Sequence, residues 1–346
     1  MLSEQNRTLG IGVAIGFIAI AGCCVLGIAG GGLIYLMGED DGDDIDADDA
    51  PAAVAQTQPQ TDDDDGEEEL RFESMGLGIT HGCAIDTDQR LHCWGIRTHQ
   101  ATDDPPEGRF IDVDSGHRHS CAIDTDHQLH CWGDEYYGGI SDAPSGEFQK
   151  LALKNRLNCA MTVSGELKCW GTPDRLKGAL DTPDGQFKAF DIGPTGSGCA
   201  IDDDDNLQCW GDYSTSTHRR RIIHQAPSGQ FRDVSVGERH ACVLDHDDEL
   251  VCWGVNKTPT QQGRFLDDAP AGQFAQVSTF SLSSCVRDEE GFVECWGDKT
   301  KFDFDDIPEK QFETVEVGAG YACGIDASKD ITCWSSDERD YMVDSP

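Results

Sequence analysis

Fourteen of the sixteen cysteines fall into seven copies of one spacing, Cys-x9-Cys followed at once by Trp. The pairs are Cys83 and Cys93, Cys121 and Cys131, Cys159 and Cys169, Cys199 and Cys209, Cys242 and Cys252, Cys285 and Cys295, and Cys323 and Cys333. Zinc sites use Cys doublets two to four residues apart with converging His or Cys partners, and nothing here has that form. In an exported domain the pairs read as seven local disulfides. Each closes a short loop and contributes roughly 2–3 kcal/mol at most by the chain-entropy argument.

Other side chains that could do chemistry are spread unevenly. His81, His119 and His240 stand two residues before the first Cys of their repeats, but Leu157, Ser197, Ser283 and Tyr321 stand there in the others. A metal or catalytic role would not tolerate that variation, so the histidines read as packing residues with one hydrogen bond. The acidic run Asp202 to Asp205 has the composition of a hairpin turn and lacks the spaced ligands of a calcium loop. No Gly-rich phosphate loop or Gly-x-Ser-x-Gly elbow is present. The expectation is a protein without catalytic residues, metal or cofactor.

The elements that carry these residues follow from the same repeat. Cys83-Ala-Ile and Leu91-His-Cys93 flank an Asp-rich turn, which is a hairpin signature. The ten-residue separation sets the two cysteines opposite each other on adjacent antiparallel strands. A non-hydrogen-bonded pair there has its Cα atoms about 4.5 Å apart, within disulfide range. Phe72, Phe110, Phe148, Phe231, Phe274 and Phe312 lie eleven residues before the first Cys, and Phe187 lies twelve before. Pro-x-Gly precedes that Phe in five of six junctions. Each unit is therefore a turn, a strand, a hairpin and a connector, with three or four strands.

All seven tryptophans of the chain close these repeats: Trp94, Trp132, Trp170, Trp210, Trp253, Trp296 and Trp334. A single unit cannot bury its apolar face, so stacking units in a ring lets each Trp and Phe pack against the next blade. The fold expected for residues 71–346 is an all-β, seven-bladed β-propeller.

Two connectors depart from the regular length. Residues 212–226 and 255–269 are 15 long, against 10 or 11 in the other four. They fall in consecutive junctions, so in a propeller they lie side by side. The first carries Tyr213 and the basic cluster His218, Arg219, Arg220 and Arg221; the second carries Lys257 and Arg264. Insertions on repeat loops often mark a binding face. These seven residues form the candidate partner-binding rim for an acidic or carboxylate-bearing protein. Pairing of the basic loop with the protein's own carboxylates is the competing reading.

Ahead of the repeats lie three further segments. Residues 1–8 form a short N-terminus, and 9–37 are almost wholly apolar or glycine, long enough for one transmembrane signal-anchor helix. Arg7 before it and Glu39 to Asp41 after it favour a cytoplasmic N-terminus and an extracytoplasmic remainder. Ile20-Ala-Gly-Cys23 also resembles a lipoprotein processing site, which makes Cys23 a possible lipidation point. Residues 38–70 hold fifteen acids and no Lys or Arg, the composition of a disordered acidic linker.

The repeat resembles that of the regulator of chromosome condensation family. The resemblance rests on Gly116-His-Arg-His119-Ser-Cys121-Ala-Ile-Asp, on Gly237-Glu-Arg-His240-Ala-Cys242, and on the Leu-x-Cys-Trp-Gly endings. The cysteine-rich version is similar to the bacterial branch that includes a type II β-lactamase inhibitory protein. The resemblance implies a seven-bladed propeller. Its eukaryotic founder, a nuclear exchange factor for a small GTPase, would imply a GTPase partner, which an exported, disulfide-bearing domain disfavours. A formal charge of −39 also argues against nucleic acid as a partner. The function expected is an exported, membrane-anchored scaffold that binds an unidentified protein. The alternatives are exchange-factor activity and a propeller enzyme acting on an envelope or extracellular substrate.

Overall fold

The computed structural model describes residues 70–96, 101–102, 104–135, 139–171, 178–211, 222–256, 266–299 and 307–335. The apolar segment 9–37, Cys23 and nearly all of the acidic linker lie outside the described residues. Among the described residues no helix is long and apolar enough to cross a membrane.

Seven antiparallel sheets follow one another along the chain, each of three strands in sequential order. In blade 1 the inner strand is Phe72–Leu77, the middle strand His81–Asp86 and the outer strand Leu91–Gly95. The inner strands of blades 2 to 7 are Phe110–Ser115, Phe148–Leu153, Phe187–Ile192, Phe231–Val236, Gln276–Phe280 and Thr314–Val317. Of the three or four strands the repeat allowed, three form among the described residues.

The middle and outer strands pair Cys to Cys in every blade, as in Cys121 opposite Cys131. All seven disulfides are formed, with Cα atoms 4.0 to 4.1 Å apart. In blade 2 the flanking main-chain bonds, Asp124 N–H to Gln128 C=O and Asp134 N–H to Arg118 C=O, place each Cys pair at a non-hydrogen-bonded site. That is the close pair of an antiparallel ladder, so the bridge forms without displacing a ladder bond.

The hairpin turns are held by their first residue. Asp86, Asp124, Asp202, Asp245, Asp288 and Asp326 each accept a main-chain N–H from four residues on, and Thr162 does the same in blade 3. The turn then needs a left-handed residue, which is Gln89, His127, Gly165, Asp205, Asp248, Gly291 or Lys329. The carbonyl of that residue accepts the N–H of the Phe that opens the next blade, at 2.8 to 2.9 Å in all seven cases. The seventh runs from Phe72 back to Lys329 and closes the ring.

Packing between blades uses the recurrent aromatics. All seven recurrent Phe are buried, and six tryptophans are 3% to 6% exposed; Trp132 alone is less covered. Among the described residues, four indole N–H groups donate to a carbonyl 31 residues upstream, Trp132 to Ala101, Trp170 to Gly139, Trp210 to Ala179 and Trp253 to Ile222. Each of these tryptophans thus pins the connector that leads into its own blade. The histidines bridge blades: His81 Nε2 meets Ser120 Oγ at 2.8 Å, His119 Nε2 meets Asn158 Oδ1 at 3.0 Å, and His240 Nε2 meets Ser284 Oγ at 2.5 Å.

Gly76 marks the seam between blades 1 and 2. A Cβ there would lie 2.4 Å from the Asp114 Cα and 2.5 Å from the Val113 carbonyl oxygen. Both are backbone atoms of blade 2, so Gly76→Ala has to push two blades apart. Overpacking of this kind costs about 1–3 kcal/mol, and a thermal melt should show a midpoint lower by roughly 5 °C.

Candidate functional site

The inner strands surround a central channel, and two of their positions face it. Opposite the first Cys of blades 1 to 7 stand Gly76, Asp114, Ala152, Asp191, Ser235, Ser278 and Glu316. Two residues earlier stand Ser74, Asp112, Lys150, Ala189, Asp233, Gln276 and Thr314. The cavity between them measures about 190 Å³. It concentrates five carboxylates and, with Lys154, two ammonium groups.

Most of these polar side chains have a structural task. The inner strand is an edge strand, and its outward N–H groups need acceptors. The preceding blade supplies them. Leu151 N–H donates to Asp112 and Leu153 N–H to Asp114, both at 2.6 Å. Val236 N–H donates to Asp191 at 2.7 Å and Val277 N–H to Asp233 at 3.3 Å. Ser235 accepts from Thr279 N–H, Gln276 from Val315 N–H, and Ser278 from Val317 N–H. Four of the seven seams are therefore stitched by side chains of the channel.

The seam between blades 3 and 4 cannot be stitched in this way, because Lys150 and Ala152 offer no acceptor. Lys154 takes over. Five residues before the first Cys, blades 1, 2, 5 and 7 carry Gly78, Gly116, Gly237 and Gly318, and Gly193 is the blade 4 equivalent one residue earlier. Blade 3 has Lys154 and blade 6 has Phe280 at this position. The Lys154 ammonium lies 3.7 Å from the Asp191 carboxylate and 4.8 Å from the centre of the Phe280 ring. The two side chains, from blades 3 and 6, thus meet across the ring.

Electrostatics follow from this crowding. Burial pushes the carboxyls of Asp112 and Glu316 up to about 7 and that of Asp114 up to about 6. Lys150 works against the rise at Asp112, the Ser278 hydroxyl at Glu316, and Lys154 at Asp114. Burial also raises Asp233. For Lys154 burial disfavours the charge, but Asp191, Asp114 and Glu316 outweigh it, so the ammonium is held above its ordinary range. The channel is a buried charge network that joins blades.

The residues singled out for partner binding, Tyr213, His218, Arg219, Arg220, Arg221, Lys257 and Arg264, lie outside the described residues. The histidines occupy blade seams, as expected of packing residues. The channel network went unread in the sequence because its members change type from blade to blade. The interrupted glycine column at Lys154 and Phe280 was the signal that could have found part of it.

A family profile matches two stretches of the chain, residues 110–138 and 231–257, as the regulator of chromosome condensation (RCC1) repeat. Two of the seven blades thus match the RCC1 repeat. The two matched stretches begin at the inner-strand Phe of blades 2 and 5 and run past Trp-Gly, so the profile's unit coincides with a blade. No curated protein sequence matches the chain. Solved structures similar to this propeller include the ectodomain of the receptor kinase CR4 from Physcomitrella patens. It has a TM-score of 0.62 and 20% identity over 77% of this chain and 74% of that one. The CRINKLY WD40 ectodomain of the Arabidopsis thaliana receptor kinase ACR4 gives 0.61 and 19% over 80% and 98%. Prp20p from Saccharomyces cerevisiae, described with its binding to Gsp1p and histones, gives 0.54 and 15% over 79% and 84%. At these identities the likeness establishes the fold alone.

Proposed function

We propose that this RCC1-repeat propeller is an exported, membrane-anchored interaction scaffold that presents its rims to a protein partner. The observation that supports it most is the use made of the channel. Its carboxylates and Lys154 are engaged in joining blades, which leaves the connectors and outer strands as the variable surface. Seven disulfides suit an oxidising compartment. The apolar segment 9–37 supplies the anchor and the acidic segment 38–70 the spacer.

The two long connectors form the docking rim in this reading, and their arginines meet carboxylates of the partner. The test uses the full, oxidised chain as bait for proteins of the compartment that holds it. A partner should co-elute with the intact chain in size exclusion. The triple variant Arg219→Ser, Arg220→Ser, Arg221→Ser should bind it at least tenfold more weakly, with the loss shrinking at high salt. Equal affinity of the variant would remove the rim from the reading. A chain that holds no protein partner at all would end the scaffold reading itself.

A further inference from the structure

The outer strand of each blade has one edge turned away from the sheet. In blade 2 this strand is Leu129–Gly133. The ladder places the main-chain bonds of Gln128, His130 and Trp132 toward the middle strand, so the N–H and C=O groups of Leu129 and Cys131 point outward. No hydrogen bond among the described residues reaches them. In blade 3 the corresponding carbonyl, that of Leu167, accepts from Thr182 Oγ1 at 3.4 Å. Thr182 stands five residues before the inner-strand Phe, and the residue so placed in blade 2 is Ala143, which has no hydroxyl.

The open edge lies at the bottom of a groove. A cavity of about 560 Å³ runs along Gln128 to Trp132. Asp104 and Pro106 of the connector entering blade 2 line it, together with Ile140, Ala143 and Pro144 of the connector leaving it. Trp132, the one tryptophan of the seven that is only partly buried, lines it together with Leu129. Among the described residues no lysine or arginine lines the groove. Asp104 and His130 line it, and His130 is paired with Asp124 at 2.7 Å.

We propose that the outer edge of blade 2 is a docking site for an extended peptide segment of a partner, added as a fourth strand and carrying an aliphatic residue and a lysine or arginine. The proposal rests on the scaffold reading and gives it one site and one partner chemistry. The free N–H and C=O groups of Leu129 and Cys131 supply strand pairing. Alternate side chains of an added strand point to one face, so an aliphatic residue can cover Trp132 and Ile140. Asp104, which faces no lysine or arginine among the described lining residues, meets the basic residue. A partly exposed tryptophan in a concave site is the side-chain type that dominates such interfaces.

The probe is acetyl-Lys-Val-Thr-Val-Lys-Thr-amide, titrated against the full, oxidised chain by calorimetry. Two analogues carry N-methyl groups on the odd or on the even amides. Strand addition uses only one set, so one analogue should bind at least tenfold more weakly and the other like the parent. Trp132→Ser in the protein, or Glu for Lys in the peptide, should each weaken binding about tenfold. No binding by the parent, or equal binding by both analogues, overturns the proposal. So does a dimer of the chain that Trp132→Ser dissolves, because a second copy would then own the edge. A captured partner that binds the Trp132→Ser protein undiminished sinks the groove and leaves the scaffold reading standing. Peptide binding as expected with no partner captured does the reverse.

Discussion

Lys154→Met should lower the thermal midpoint of the propeller by roughly ten degrees at pH 8 and by much less at pH 5. The ammonium is held by Asp191, Asp114 and Glu316, and it lies in the one seam between consecutive blades 2 to 7 that no acceptor side chain stitches among the described residues. Methionine keeps the length and the contact with Phe280 but leaves the carboxylates facing each other in a confined space. Removing one partner of a buried charge cluster costs about 3–5 kcal/mol, and for a domain of this size each kcal/mol moves the midpoint by about 2–4 °C. At pH 5 Asp114 and Glu316, raised to about 6 and about 7, already carry protons, so the charge left uncompensated is smaller. Near-ultraviolet circular dichroism of both proteins at the two pH values checks this. An equal loss at both would mean that Lys154 acts through packing alone.

The unmodified protein should be more stable at pH 5 than at pH 8. A carboxyl whose folded pKa exceeds its unfolded value binds more protons in the native state, so stability falls as pH rises between the two values. Asp112 and Glu316, both at about 7, Asp114 at about 6 and Asp233, also raised, act in this sense between about pH 4 and 7. His119 and His240 oppose them below about pH 6.5, because burial lowers both and the unfolded chain takes up the protons instead. Four carboxyls against two imidazoles leave a net gain on acidification. Below about pH 4 the sign reverses. The turn carboxylates Asp86, Asp124, Asp202 and Asp326 are held below their ordinary range by main-chain and side-chain donors, and their contribution is lost on protonation. The midpoint should peak between about pH 4.5 and 5.5. A midpoint flat or rising toward pH 8 would contradict the channel electrostatics, and Glu316→Gln should flatten the slope between pH 6 and 8.

What the sequence disclosed was what recurs. The Cys-x9-Cys-Trp spacing located the middle and outer strands and the disulfides, and the Phe eleven residues upstream located the inner strand. The Trp and Phe columns proved to be the contacts between blades. The channel stayed hidden for a physical reason. Asp114, Asp191, Ser235 and Ser278 occupy one structural position, but any acceptor can stitch a seam, so the residue type drifts and no column forms. The open edge of blade 2 was equally unreadable, since it depends on Ala143 lacking the hydroxyl that Thr182 supplies next door.

The bond from Phe72 to Lys329 joins residues at opposite ends of the described chain, as does the 3.0 Å bond from the Tyr321 hydroxyl to the His81 carbonyl, 240 residues away. A chain made from its N-terminus therefore completes blade 1 long before its neighbour on one side exists. Through the making of five more blades, the inner strand of blade 1 waits with one flank bare. The ring has an order in time that its near-symmetry conceals: blade 1 is first to form and last to be secured.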